Sequence, residues 1–241
     1  MGELEQLENV APADIERRSF QIIGAELAER GISIPAENEL VVKRAIHASA
    51  DFDYASNLVF SPGAVRTGID AIRQGTDIVT DTKMAAAGIN KRTLARFGGQ
   101  VLNFISDDDV AAEAKRLGVT RSAMAMRKAA RLSDQPGKPG TAGSGDLSGL
   151  TATSESAAQS SKPLIFAIGN APTALVELHA LITSGSMARP ALIVAVPVGF
   201  VNVVPSKELI LQLDVPHIVA CGRKGGSNVA AAIVNALLYQ A

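Results

Sequence analysis

From about Thr76 onward the chain alternates short β-branched, apolar runs with longer amphipathic or alanine-rich stretches. The runs are Thr-Asp-Ile-Val-Thr (76–80), Val-Leu-Asn-Phe-Ile (101–105), Leu-Ile-Phe-Ala-Ile-Gly (164–169), Ala-Leu-Ile-Val-Ala-Val-Pro-Val-Gly-Phe (191–200) and His-Ile-Val-Ala-Cys (217–221). Most are continuous rather than alternating, which predicts strands buried on both faces. Helical patterns follow over residues 81–89, 110–118, 170–183, 206–213 and 222–238. Asp81 stands at the cap position of the first, and Ser106 with Asp107, Asp108 and Asp109 precedes the second, where acids suit the positive helix end. The repeated strand-then-helix unit predicts an α/β fold: a doubly wound, mainly parallel sheet with helices on both faces and right-handed crossovers. The first 75 or so residues predict an N-terminal helical region packed beside that sheet. One amphipathic run there ends in Arg44-Ala45-Ile46-His47, before two aspartates, Leu-Val-Phe and a Ser-Pro turn.

One segment breaks the rhythm. Residues 133–162 are Gly, Ser, Thr, Pro and Ala with almost no large apolar side chain. Burial there cannot offset the entropy of ordering, so a flexible insertion is expected, inert or acting as a lid. The remainder predicts a single domain over 1–241.

Composition sharpens this picture. With no Trp and few aromatics, Ala, Val, Ile and Leu must carry the interior. The net charge of −1 gives no footprint for nucleic acid or an anionic membrane. The single cysteine, Cys221, excludes an intramolecular disulfide framework. No apolar stretch approaches the ~18 residues of a membrane span, and the acidic N-terminus lacks a signal-peptide core, so a cytoplasmic setting is expected. Three histidines without His-x-His or His-x-x-x-His spacing predict no metal site.

In open α/β sheets ligands bind beyond the carboxyl ends of the strands. Those exits are Asp81 with Lys83, Ser106, Gly169-Asn170, Gly199-Phe200 leading to Ser206-Lys207, and Gly222-Arg223-Lys224-Gly225-Gly226-Ser227. Each alone also serves as capping or turn chemistry. Their convergence of glycine, helix-start amides and cations suits a ligand with several negative groups. Gly222–Ser227 is not Gly-x-Gly-x-x-Gly and has no following strand, so it is a weak dinucleotide signature. His47 is structural or the proton donor, with Arg44 on the same helix face three residues earlier. His179 and His217 fit core or surface positions, and Cys221 fits a small buried residue. Arg121, capped by Thr120, puts a cation where the helix dipole prefers an anion, which suggests a bound anion or an ordinary surface arginine.

Several stretches together resemble the precorrin-8X methylmutase family, also called cobalt-precorrin-8 methylmutase, of corrin biosynthesis. They are Arg-Ser-Phe-Gln-Ile-Ile (18–23), residues 44–65, Thr-Asp-Thr-Lys-Met-Ala-Ala-Ala-Gly-Ile (80–89) and Thr-Arg-Ser-Ala-Met-Ala (120–125). They continue through residues 168–175, 197–208 and 222–237, spanning nearly the whole chain. The resemblance implies migration of a methyl group from C11 to C12 of the macrocycle, giving hydrogenobyrinic acid or its cobalt-containing equivalent. It implies a homodimer without a cofactor, a proton-donating His47, and substrate contacts from Ser19 and Arg44. The strand exits complete the expected substrate-binding set with Asp81, Asn170, Gly199, Ser206 and Arg223, together with Arg121. By composition, the alanine-rich C-terminal helix is the candidate dimer face. Two features depart from the family pattern: Pro205 stands where an acid usually precedes Ser-Lys, and 133–162 lengthens a normally short connection. A non-catalytic corrinoid-binding protein and a nucleotide-binding regulatory domain are the competing readings.

Overall fold

The structure, a computed structural model, describes residue 8 and residues 10–132 and 163–241; the expected insertion at 133–162 lies outside the described residues. A 3-10 turn (Pro12–Asp14) leads into α1 (Ile15–Glu29), α2 (Glu39–Ser49), α3 (Tyr54–Asn57), β1 (Leu58–Phe60) and α4 (Ala64–Arg73). Then follow β2 (Ile78–Thr80), α5 (Lys83–Gly88), α6 (Lys91–Arg96), β3 (Val101–Leu102), α7 (Asp108–Leu117) and α8 (Arg121–Leu132). The remainder is β4 (Ile165–Ile168), α9 (Pro172–Thr183), β5 (Leu192–Ala195), α10 (Val203–Leu211), β6 (His217–Ala220) and α11 (Ser227–Leu238).

The strands form one sheet in the order β1-β6-β5-β4-β2-β3, parallel except for β1. Alternate side chains feed two cores. Ile78, Ile165, Ala167, Leu192, Val194 and Ile218 face α1, α2, α4, α6 and α11, whereas Val79, Phe166, Ile168, Ile193, Ala195 and Val219 face α7 to α10. Burial on both faces explains why these strands read as continuous apolar runs. Each buried Val, Ile or Leu contributes roughly 1.5–3 kcal/mol over its exposed form, which is what holds such short strands in place.

Two expectations need correction. The N-terminal 75 residues are not helical throughout: Leu58–Phe60 pair antiparallel with β6, Leu58 opposite Ala220 and Phe60 opposite Ile218. Three residues are too few to show a period, and the pairing is set from outside by β6, with Cys221 N–H donating to Asn57 O (2.8 Å) and Ser61 N–H to His217 O (3.0 Å). The alanine-rich C-terminal helix is not a free face. α11 packs on α2, α4, α5 and the sheet, with Val229, Ile233, Val234, Leu237 and Leu238 at 2% exposure or less. A helix apolar on all sides belongs inside its own domain.

Candidate active site

The chain leaves β2 toward one face of the sheet, through α5, and leaves β4 toward the other, through α9. The strand order therefore reverses between β2 and β4, where a ligand crevice opens in such sheets. Asp81 occupies that point. Its Oδ1 accepts from Gly169 N–H (2.9 Å), and its Oδ2 from Asn170 N–H (2.8 Å) and Ala171 N–H (2.7 Å). Burial pushes this carboxyl up, against the pull of the three amides. Asp81 thus fills the anion seat at the start of α9 and presents no free carboxylate. Nor does it cap α5: Thr82 does, accepting from Ala85 N–H (3.0 Å) while its hydroxyl meets Ser227 Oγ at 2.7 Å.

The other exits are fused backbone to backbone. A Cβ on Gly169 would lie 2.6 Å from Ser227 Cα, and one on Gly225, at φ +159°, 2.1 Å from Val196 O. Gly226 N–H donates to Val196 O (2.8 Å), and Gly199 N–H to Arg223 O (3.2 Å). Beneath this junction lies Lys207, which the sequence reading placed with Ser206 at an exit and which is in fact buried. Lys207 is 1% exposed and donates from Nζ to Gly222 O and Lys224 O, both at 2.8 Å, and burial pushes its ammonium down to about 8. The neighbouring Ser206 is also buried, its hydroxyl given to Val203 O (2.8 Å), so it faces no exit surface. Pro205 is exposed in the first turn of α10.

His47 is exposed in the last turn of α2, its ring 5.5 Å from Phe20 in an edge-to-face pair. Arg44 shares that face. It pairs with Glu16 (2.6 and 3.3 Å), and its guanidinium carbon lies 4.4 Å from the Tyr239 ring and 5.2 Å from Phe20. Its buried Nε has no hydrogen-bond partner. Ser19, half-buried beside Phe20 in sequence, donates to Ile15 O (2.9 Å). Arg44 and His47 therefore meet one phenyl ring, Phe20, where α1 packs on α2, with Ser19 the preceding residue of α1. The same end of α2 meets the β6 exit: Asn228 donates to Ala48 O (3.2 Å), and Lys224 Nζ reaches Asp51 (2.7 Å) and Asp53 (2.5 Å).

Around these groups the rim is both apolar and cationic. Phe200 is 82% exposed, Val201 78% and Met84 71%, while Arg223 stacks over Phe200 at 5.3 Å. Lys83, Asn170 and Arg223 are exposed. Arg121 lies further out, lining an open cavity of about 520 Å³ with Ala111, Ala112, Ala114, Lys115 and Val119; His47 is not among its walls. Thr120 caps α8 through Ala123 N–H (3.2 Å) and donates to Thr173 Oγ1 (2.8 Å), which sets the start of α8 beside that of α9. His217 is buried with Nδ1 3.0 Å from Val215 O, and burial pushes its pKa down. Burial pushes the half-buried Cys221 thiol up, as suits an unreactive residue. Among the described residues no His, Cys, Asp or Glu cluster could hold a metal, and no helix is long and apolar enough to cross a membrane.

Comparison with known proteins bears directly on this geometry. Residues 14–240 match the family model described as precorrin-8X methylmutase. The cobalt-precorrin-8 methylmutase of Priestia megaterium is 41% identical over 228 residues, covering 95% of this chain and 88% of the relative. That of Salmonella typhimurium is 41% identical over 234 residues, covering 95% of each. The crystal structure of the precorrin-8X methyl mutase from Thermus thermophilus superposes with a TM-score of 0.74 at 34% identity, covering 94% of this chain and 96% of that one. With a match that runs through α1, the His47 turn and every strand exit to the end of α11, the chain belongs to the precorrin-8X methylmutase family and is an isomerase of the methylmutase type.

Proposed function

We propose that this methylmutase moves a methyl group from C11 to C12 of precorrin-8X or its cobalt-containing counterpart, and that His47 is the proton donor. The observation that carries this reading is the exposed imidazole at the end of α2, edge-on to Phe20, whose ring Arg44 also approaches, on a helix end tied to the β6 exit through Asn228 and the Ala48 carbonyl. A corrin precursor is a broad apolar ring fringed with carboxylates. Phe200, Val201 and Met84 suit the ring, and Arg223 and Lys83 suit the fringe. Arg44 would take a carboxylate by exchanging its partner Glu16, a residue whose side chain is 54% exposed. Asn170 and Gly199 border the same exits, whereas Asp81 and Ser206 act through the backbone they hold, and Arg121 serves the outer edge.

Proton donation to the conjugated ring draws electron density from the methyl-bearing carbon. The C11–methyl bond breaks as the C12–methyl bond forms. Substrate and product are isomers, so the imidazole that gives a proton regains one, and neither a methyl donor nor a cofactor is required. General acid catalysis of this kind is typically worth about 10²–10⁴-fold, and holding the ring in its reactive shape adds to it. The exposed apolar rim suits a homodimer in which a second copy covers the ring, working in the cytoplasm.

The test is incubation of purified protein with precorrin-8X, without added cofactor, followed by visible absorption. His47→Ala should lose turnover by about 10²–10⁴-fold while still binding product. Near-normal single-turnover rates in that variant overturn the assignment and favour a corrinoid-binding protein without catalysis.

A further inference from the structure

Resting on the His47 reading, we propose that Lys224 is a positioning residue that sets the proton donor over the substrate. The two ends of this contact differ in how firmly they are held. On the His47 side, α2 stops at Ala50, a non-glycine residue in the left-handed region (φ 54°) whose N–H still donates to Ile46 O (2.7 Å). Few L residues adopt that conformation without help from their surroundings. The segment that follows, Asp51-Phe52-Asp53, folds back on itself, with Asp53 N–H donating to Asp51 Oδ1 (3.0 Å). Two carboxylates are thereby brought onto one side, where they repel unless a cation joins them. Lys224 is that cation, its Nζ lying 2.7 Å from Asp51 Oδ2 and 2.5 Å from Asp53 Oδ2.

On the other side the lysine is fixed from within. The Lys224 carbonyl accepts from buried Lys207, and the adjoining Gly225 and Gly226 lie against the Val196 carbonyl at the β5 exit. A rigid strand-exit loop thus reaches out with one long side chain and pins the turn that ends the His47 helix. Asn228 makes a second, weaker tie to Ala48 O, next to His47.

Energy argues that this contact serves position rather than stability. The side chains of Lys224, Asp51 and Asp53 are 47%, 29% and 65% exposed, and solvent screening leaves pairs of that kind little part in stability. A general acid is far more sensitive to placement: a displacement of about 1 Å can cost ~100-fold in rate.

Lys224→Met should lower kcat for methyl migration about tenfold, with KM and product Kd changed less than about threefold. Its melting temperature should move by no more than about 3 °C. Lys224→Arg should restore most of the rate, and Asp51→Asn with Asp53→Asn should reproduce the loss. The decisive variant is His47→Ala combined with Lys224→Met, which should be no slower than His47→Ala alone, because a residue acting through His47 has nothing left to position. A further fall in the double variant, a product Kd that rises in step with the loss of kcat, or a kcat within about twofold of wild type in Lys224→Met overturns the proposal. Turnover lost in His47→Ala but normal in Lys224→Met defeats the positioning role alone. Turnover retained in His47→Ala defeats the His47 assignment and this role together.

Discussion

Asp81→Asn separates a carboxylate that builds the site from one that binds the ligand. In the protein its two oxygens take three N–H groups, one on Oδ1 and two on Oδ2. A carboxamide has a single acceptor oxygen. Turned toward Asn170 and Ala171 it keeps two bonds, but its NH₂ then confronts the Gly169 N–H, donor against donor; turned the other way it loses two. An orphaned buried donor costs about 1–3 kcal/mol, and the bonds that survive lose their charge assistance, worth about 0.5–1 kcal/mol each. Relief of the burial that pushes the carboxyl up offsets part of this, leaving about 2–4 kcal/mol of destabilisation. In a urea titration, with a slope of about 2–3 kcal/mol/M, the midpoint should fall by roughly 1–2 M while the slope stays unchanged. At temperatures where the variant is folded, product affinity should remain within a few-fold of wild type. Unchanged stability within about 0.5 kcal/mol, together with a large loss of product affinity, would refute the reasoning and return Asp81 to the substrate-binding set expected from sequence.

The remaining predictions concern the junction beneath the site. Gly169→Ala places a methyl 2.6 Å from Ser227 Cα and 2.9 Å from Ser227 N, backbone atoms that cannot swing aside. It should cost about 1–3 kcal/mol in thermal or urea unfolding, and a neutral result would show that the β4 exit and the start of α11 are free to separate. Lys207 has a folded pKa of about 8 against 10.5 for the free group, so between those values the unfolded chain binds the extra proton. Wild type should therefore gain stability relative to Lys207→Met as pH rises from about 8 toward 10.5, by no more than about 1.4 kcal/mol per unit, with a flat difference below 8; the opposite slope sinks the assignment.

The parallel core of the fold was legible because burial on both faces leaves a mark in sequence. Residues 164–169, 191–200 and 217–221 carry unbroken apolar runs, and each became a strand of the central sheet. The edges were not legible. β1 owes its pairing to β6, three residues at a time, and β3 shrinks to Val101–Leu102, beyond which Asn103 turns its amide to Thr80 O (2.9 Å). The alanine-rich pattern of α11 was plain, but composition alone does not distinguish a helix buried by its own domain from one buried by a second copy.

The candidate site divides along a different line. Strand exits attract glycine, short polar side chains and cations whether they bind a ligand or merely close turns, so residue type could locate the rim without assigning its members. What assigns them is hydrogen-bonding capacity already used. Asp81, Thr82, Ser206 and Lys207 direct theirs into the protein, to partners 88 to 90 residues away for Asp81 and to the Gly222 and Lys224 carbonyls for Lys207. The partners of Asp81 and the Ser227 partner of Thr82 are distant in sequence, and nothing local announces them. His47, Lys83 and Arg223 stay at the surface, on backbone that the buried set has fixed. A macrocycle with charges around its edge needs that combination, since donors that move on binding lose rotamer freedom at each contact, whereas donors fixed beforehand do not. Substitution of the buried residues should therefore register first in stability and only afterwards in rate.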